Sequence, residues 1–150
     1  MAPGNGEVAN SMRLEFLSLP ENVGLARVAV AAFVAQTDLT LNELEEIKVA
    51  VSEAVANAVI HGYGGGPQGW VRVKVSRTRE DLEIIVEDDG KGIADIAQAM
   101  QPAYSSDPER MGLGFAFMQS FMDEVEVVSE EGRGTKVIMR RKLSPSTPAS

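Results

Sequence analysis

Three polar residues recur at four-residue intervals in one segment of helical pattern: Glu53, Asn57 and His61. Positions i, i+4 and i+8 lie along one edge of an α-helix, here beside its apolar stripe. Ordinary solvated surface is one explanation of such an edge. The neighbours between them are the small residues Ala54, Ala56 and Ala58. Small neighbours let a large group come close to the helix, so this edge is a candidate ligand site.

A carboxylate ends a strand-like run further along the chain. Leu82, Ile84, Val86 and Asp88 point to one face of a strand, because strand side chains alternate with period two. The first three predict a core face, so Asp88 lies at the edge of the core, where an unpaired charge is costly. Capping of the next turn is one interpretation. Since two glycines follow, Gly90 and Gly92, the alternative is a carboxylate beside close backbone, able to accept the exocyclic amine of adenine.

A glycine pair, Gly112 and Gly114, precedes an apolar run predicted to be a helix from Phe115 to about Met122. Free N–H groups and the positive dipole end of such a helix favour phosphate. Arg110, two residues earlier, could add positive charge. A lone G-x-G before a helix is weak evidence for a phosphate site, since loop geometry explains most occurrences of the motif.

Capping signals place the helices that carry these residues. Ser18 and Glu21 match S-x-x-E and predict a first helix to about Gln36, and Thr40 with Glu43 predicts a second. The second helix has a core stripe and Gly62 as its natural end. The stripe consists of Leu44, Ile47, Val51, Ala54, Val55 and Ala58.

Alternating runs predict five strands: one from Met12, one at 70–75, one at 82–88, and a hairpin of 125–128 with 135–140. The order βααββ(α)αββ, with strands in antiparallel pairs, predicts an α/β two-layer sandwich rather than a doubly wound parallel sheet. We expect a mixed, mostly antiparallel sheet covered on one face by helices. Residues 12–143 form the predicted domain, between a disordered lead-in at 1–11 and a disordered tail at 144–150.

Composition excludes several other classes of protein. The 150 residues include no cysteine, which excludes disulfides and thiolate metal sites and fits a reducing cytosol. Acidic residues outnumber basic ones by 22 to 14, for a net charge of −8, the opposite of a free-standing nucleic-acid binder. No stretch is apolar enough to span a bilayer, and no signal peptide is evident.

Together these motifs resemble the N, G1, G2 and G3 boxes of the GHKL ATPases, with a late Gly134-Thr135 as the last box. Three runs are more specific: S-E-A-V-A-N-A-V-I-H-G-Y (52–63), A-A-F-V-A-Q (31–36) and F-M-D-E-V (121–125). They are similar to the sporulation anti-sigma-F factors (the stage II sporulation protein AB family), serine kinases related to the general-stress anti-sigma factors. The resemblance covers roughly residues 13–140 and implies the Bergerat ATP-binding fold.

The resemblance implies roles for the candidate residues. Glu53 would be the general base and Asn57 the ligand of the Mg²⁺ that bridges the ATP phosphates. Asp88 would accept the adenine amine. The remaining implied ATP contacts are the base-pocket residues Gly90, Gly92 and Thr135 and the phosphate-binding Gly112 and Gly114, with a lid at 93–111.

The resemblance also implies partners. The chain would form a cytoplasmic homodimer, inhibit a sigma-F-type factor and phosphorylate an anti-anti-sigma protein on serine. Arg27 and Arg110 match partner-facing positions, although ordinary solvated arginine explains each equally well. Val23 and Asp107 depart from the family pattern, so partner specificity and lid–phosphate contacts need not carry over.

Three alternatives stay open: a general-stress-type anti-sigma kinase, a binding-only anti-sigma module, and a detached histidine-kinase catalytic domain. Glu53 and Asn57 together favour a kinase over the binding-only module. Histidine kinases usually carry Asn at the position of Glu53 and a basic residue at Ile60, which disfavours the last alternative. A helix-end role for His61 is favoured over a phosphoacceptor role.

Overall fold

Five strands and four α-helices make up the computed structural model, which describes residues 6–64, 69–101 and 111–143, without the side chain of Met111. The strands are β1 (Asn10–Leu17), β2 (Trp70–Arg77), β3 (Asp81–Asp88), β4 (Glu124–Glu130) and β5 (Gly134–Lys142). The helices are α1 (Glu21–Val34), α2 (Leu41–Asn57), α3 (Ile96–Ala99) and α4 (Met111–Phe121). A π-helical turn, Ala58–Gly62, continues α2. This is the predicted order of elements.

The strands form one sheet in the order β1-β2-β3-β5-β4, and each of the four described pairings is antiparallel. The register aligns the alternating apolar residues, so that Val73 faces Val86 and Val86 faces Val137. These residues are buried, whereas the intervening ones, such as Lys74 and Glu87, are half-buried. One face of the sheet is therefore the core face.

Helices α1, α2 and α4 cover the core face through their apolar stripes. Their buried side chains, among them Val30, Val51 and Met118, join those of the sheet in one hydrophobic cluster. Burying such side chains is the main favourable term in folding, roughly 1.5–3 kcal/mol for each large aliphatic group. The predicted two-layer α/β sandwich with helices on one face is confirmed, but the described sheet is antiparallel throughout rather than mixed.

The two predicted capping boxes have different outcomes. Thr40 Oγ1 accepts a hydrogen bond from Glu43 N at 3.1 Å, and Glu43 Oε1 accepts one from Thr40 N at 3.0 Å, as predicted. The prediction for α1 is wrong, because its N-cap is Pro20 and no side chain caps it. Ser18 is instead fully buried, where its hydroxyl accepts a hydrogen bond from Gly69 N at 3.4 Å.

Two boundaries also differ from expectation. Strand β1 begins at Asn10 rather than Met12. The last two residues of the predicted lead-in, Asn10 and Ser11, pair with Arg77 and Ser76 of β2. Helix α4 is described from Met111 rather than Phe115, so Gly112 and Gly114 lie within its first turn. The rest of the lead-in and the tail from 144 lie mostly outside the described residues, and the domain limits stay a prediction. In the described ranges, no helix has the length and apolarity needed to cross a membrane.

Arg141 joins the sheet to both neighbouring helices. Its guanidinium lies 3.1 Å from Glu46 and 3.7 Å from Glu43 of α2, and it donates to the Phe121 carbonyl at the end of α4 at 2.8 Å. We expect Arg141→Met to lower the free energy of unfolding by about 1–3 kcal/mol, because two partly buried carboxylates and a helix-end carbonyl lose their donor. Urea denaturation measures this loss.

Lys136→Met is the matched control on the same strand. Its ammonium is more exposed and lies 4.0 Å from Glu87. An exposed pair of this kind contributes about 0–1 kcal/mol. Equal losses in the two variants would contradict the structural role of Arg141.

Candidate functional site

Glu53 and Asn57 lie together on α2, beneath the first turn of α4. Both side chains are half-buried. A Cβ added at Gly114 would lie 2.9 Å from Glu53 Oε2 and 3.4 Å from Asn57 Oδ1. Real Cβ atoms do not come as close as 2.9 Å, whereas 3.4 Å is an ordinary contact, so the glycine lets the backbone of α4 lie directly against Glu53 and beside Asn57. Sequence spacing alone did not place Gly114 there.

The amide nitrogen of Asn57 is buried and has no hydrogen-bond partner among the described residues. Buried polar atoms in native proteins are nearly always paired, because an unpaired one costs about 1–3 kcal/mol. An orphaned side-chain amide at the edge of a cavity is a feature expected of a ligand site. It is consistent with a polar ligand approaching Asn57.

Asp88 is the buried carboxylate at the end of β3, with only 5% of its surface exposed. Its Oδ1 accepts a hydrogen bond from Gly90 N at 2.9 Å, and Thr135 of β5 is its cross-strand neighbour. Burial raises the pKa of the Asp88 carboxyl to about 6, although the backbone N–H groups of Gly90 and Thr135 oppose the shift. The position is therefore costly for the free protein, which is typical of a functional carboxylate.

Gly62 connects the helix side of the site to the strand side. A Cβ added there would lie 2.9 Å from Asp88 Oδ1, so the end of the π-helical turn rests directly on the carboxylate. The Gly62 carbonyl accepts a hydrogen bond from Lys91 N at 3.0 Å, and Gly90 lies so close to that carbonyl that it has no room for a side chain. A π-helical turn inside or after an α-helix often marks a functional site.

Ser129 organises the opposite wall. Its hydroxyl accepts a hydrogen bond from Ile93 N at 2.7 Å, lies 3.0 Å from the Gly134 carbonyl and 2.8 Å from Thr135 Oγ1. Gly92 and Gly134 have φ values of +74° and +112°, which favour glycine, and each rests against backbone of a neighbouring strand or loop. The loop after β3 is thereby fastened to the β4–β5 hairpin.

These walls enclose a cavity on the helix side of the sheet. It has a volume of about 20 Å³, room for roughly one water molecule. A nucleotide base is far larger, so binding one requires the surrounding residues to move. The lining residues are Ala54, Asn57, Ala58, His61, Gly62, Val86, Asp88, Gly92, Ile93, Phe115, Thr135 and Val137.

Four of the predicted ATP contacts line this cavity: Asn57, Asp88, Gly92 and Thr135. Glu53 and Gly114 adjoin it through the contact beside Asn57. His61, the last residue of the candidate helix edge, also lines it.

The remaining predicted residues lie elsewhere. Gly90 rests against the Gly62 carbonyl, and Gly112 against the carbonyl of Gln101. Arg27 is exposed on α1, with its guanidinium 3.4 Å from Ser52 Oγ. Arg110 and Asp107 lie outside the described residues.

Sequence reasoning missed three supporting residues: Gly62, Tyr63 and Ser129. Gly62 was assigned only as a helix stop, and no pattern distinguished Ser129 from other hairpin serines. The one available signal for Tyr63 was an aromatic residue placed immediately after a helix end and before a glycine-rich loop.

Comparison with known proteins assigns the chain to a family. Residues 16–141 match the histidine kinase-like ATPase domain. The chain is 52% identical over 136 residues to the anti-sigma F factor of Clostridium novyi, covering 89% of this chain and 95% of that protein. The chain belongs to the anti-sigma F factor family.

Other anti-sigma F factors match over a similar length. The protein of Clostridium perfringens strain SM101 is 50% identical, over 90% of this chain and 98% of its own. The protein of Shouchella clausii is 48% identical, over 91% of this chain and 95% of its own length. The alignments span nearly the whole of each relative, so the family assignment covers the described fold and not one motif.

Solved structures agree on the fold. The RsbU and RsbW domains of a Mycobacterium tuberculosis protein superpose with a TM-score of 0.63 at 17% identity, over 91% of this chain and 33% of that one. A blue-light activated histidine kinase of Erythrobacter litoralis superposes with a TM-score of 0.57 at 24% identity, over 85% of this chain and 42% of that one. The histidine kinase-like ATPase fold is thus found by sequence and by structure.

Proposed function

We propose that this chain is an anti-sigma factor that is also an ATP-dependent protein-serine kinase. It binds and inhibits a sigma factor of the sporulation sigma-F type, and it phosphorylates an anti-anti-sigma protein on serine. It works in the cytoplasm as a homodimer. The observation that carries the proposal is the contact of Gly114 with both Glu53 and Asn57, beside a cavity that ends on the buried carboxylate of Asp88.

In this proposal one end of the site binds the adenine of ATP and the other end binds its phosphates. Asp88 accepts the adenine amine, with Gly90, Gly92 and Thr135 shaping the base pocket. Gly112 and Gly114, in the first turn of α4, offer backbone N–H groups to the phosphates, since the first N–H groups of a helix have no partner within it.

A magnesium ion fits the residues at the phosphate end. No cluster of three His, Cys, Asp or Glu side chains suited to a metal occurs in the described ranges. Mg²⁺ commonly binds through one or two protein oxygens plus substrate phosphates, so Asn57 Oδ1 is sufficient as the protein ligand. The unpaired Nδ2 of Asn57 is a hydrogen-bond donor, which supports an acceptor such as a phosphate oxygen beside the ion. When bound, Mg²⁺ would offset the charge of the phosphates.

Glu53 is proposed to remove the proton from the attacking serine hydroxyl. The serine oxygen forms a bond to the γ-phosphorus while the bond between that phosphorus and the bridging oxygen breaks, and ADP leaves with the electron pair. Glu53 lies one helical turn before Asn57, which keeps the base close to the metal-linked phosphate.

The test is transfer of label from ATP to the anti-anti-sigma partner in the presence of Mg²⁺, followed by identification of the modified residue. Phosphoserine on the partner is expected. Absence of transfer with intact partner binding would overturn the kinase claim and leave the binding-only anti-sigma module. Binding of a general-stress rather than a sporulation sigma factor in a pull-down would overturn the proposed partner class.

A further inference from the structure

Tyr63 is a buried residue at the joint between the two halves of the site. It follows the π-helical turn directly, and only 7% of its surface is exposed. Its hydroxyl accepts a hydrogen bond from Asp89 N at 2.7 Å and donates one to the Trp70 carbonyl at 2.9 Å. One phenol therefore connects the end of α2, the start of β2 and the loop after β3.

The ring of Tyr63 is held as firmly as its hydroxyl. A Cβ added at Gly69 would lie 2.6 Å from the Tyr63 Cζ atom, so backbone rests directly on the ring. This contact restricts the ring on one side, and in its observed position the hydroxyl reaches both of its partners.

The bond to Asp89 N fixes the peptide that follows Asp88. The Asp89 side chain is held from the other side by Arg72, whose Nη1 and Nη2 lie 2.8 and 2.9 Å from its two oxygens. The Asp88 carboxylate itself is held by Gly90 N. Without the phenol hydroxyl, Asp89 N would lose the acceptor that it has among the described residues, and the backbone bearing Asp88 would be free to shift.

We infer that Tyr63 is a positioning residue of the nucleotide site. Its hydroxyl fixes the position, relative to α2, of the Asp88 carboxylate that contacts adenine. This inference rests on the proposed function, since it takes Asp88 as the adenine contact. No described contact joins Tyr63 to Glu53 or to Asn57. Its effect should therefore fall on ATP affinity and base selectivity, not on the transfer step.

The experiment is a double-mutant cycle of Tyr63→Phe and Asp88→Asn, with ATP and GTP affinities measured by calorimetry on folded protein. Tyr63→Phe keeps the ring and removes the hydroxyl. We expect ATP affinity to fall roughly fivefold to tenfold, a loss typical of hydrogen bonds at this kind of site. The preference for ATP over GTP should fall as well, and kcat at saturating ATP should stay within about twofold of wild type.

In the Asp88→Asn background, Tyr63→Phe should weaken ATP binding by less than about twofold, because two residues that act through one contact are not additive. Ser76→Ala is the matched control, since it removes the 3.1 Å hydroxyl contact with Ser11 on the far face of the sheet. It should leave ATP affinity unchanged.

Three results would overturn the inference, and they are distinguishable. If Asp88→Asn weakens ATP binding and Tyr63→Phe does not, the role of Tyr63 is wrong while the adenine contact stands. If Asp88→Asn has no effect, the adenine assignment of the proposed function fails and the inference fails with it. Fully additive losses with unchanged selectivity would mean that Tyr63 is only structural.

Discussion

Glu53→Gln should lower the rate of phosphotransfer to the protein substrate by about 10²- to 10⁴-fold, the usual contribution of a positioned general base. Glutamine keeps the size and hydrogen-bonding reach of the side chain but cannot take a proton at neutral pH. ATP affinity should change by less than about threefold, since the proposed ATP contacts lie on Asn57, Asp88 and the glycines. Single-turnover transfer of label, beside calorimetric ATP binding, measures both effects.

Glu45→Gln is the matched control on the same helix. Its side chain is 64% exposed and pairs with Lys48 at 3.0 Å, away from the cavity. Transfer and ATP binding should both match wild type. If Glu53→Gln transfers phosphate at the wild-type rate, another group is the base, and the half-buried His61 that lines the cavity becomes the next candidate.

The fold was predictable because its local signals agree with one another. The alternating runs gave all five strands in order, and Thr40 with Glu43 capped α2 as expected. The failure at Ser18 has a physical reason: its hydroxyl is buried beside Gly69, so tertiary contact overrides the local capping pattern. Capping boxes are local, and a sequence does not reveal when a distant loop competes for the hydroxyl.

The candidate site was predictable only in part. Period-four spacing distinguished Asn57 on α2, period-two spacing distinguished Asp88 at the end of β3, and the folded chain places both at one cavity. Spacing within an element says nothing about where two elements touch. The approach of Gly114 to α2, the contact of Gly62 with Asp88 and the hydrogen bonds of Tyr63 all depend on packing between elements. These supporting contacts therefore became visible only in the folded chain.

Asp88→Asn should weaken ATP binding roughly 10- to 100-fold, since hydrogen bonds to charged groups contribute about 1.5–3 kcal/mol. The asparagine can still accept one hydrogen bond, from Gly90 N or from the adenine amine, but it adds an N–H₂ group where an acceptor is needed. Calorimetry of wild type and variant measures the difference. Unchanged affinity would refute the adenine assignment.

The same substitution should leave the nucleotide-free protein at least as stable as wild type at pH 7–8. The pKa of Asp88 rises from 3.8 to about 6 on folding because of burial. The native state therefore binds more protons than the unfolded state between these pH values, and the contribution of Asp88 to stability falls as pH rises through them. Above about pH 6 the buried carboxylate is charged and costs stability, a cost that asparagine does not carry. Below pH 3.8 the carboxyl is protonated in both states and this contribution vanishes.

Urea denaturation of both proteins from pH 4 to pH 8 tests the sign of this effect. A variant that loses stability relative to wild type as pH rises would show that Asp88 stabilises the fold. A variant that gains stability while losing ATP would show that the carboxylate is kept for its ligand.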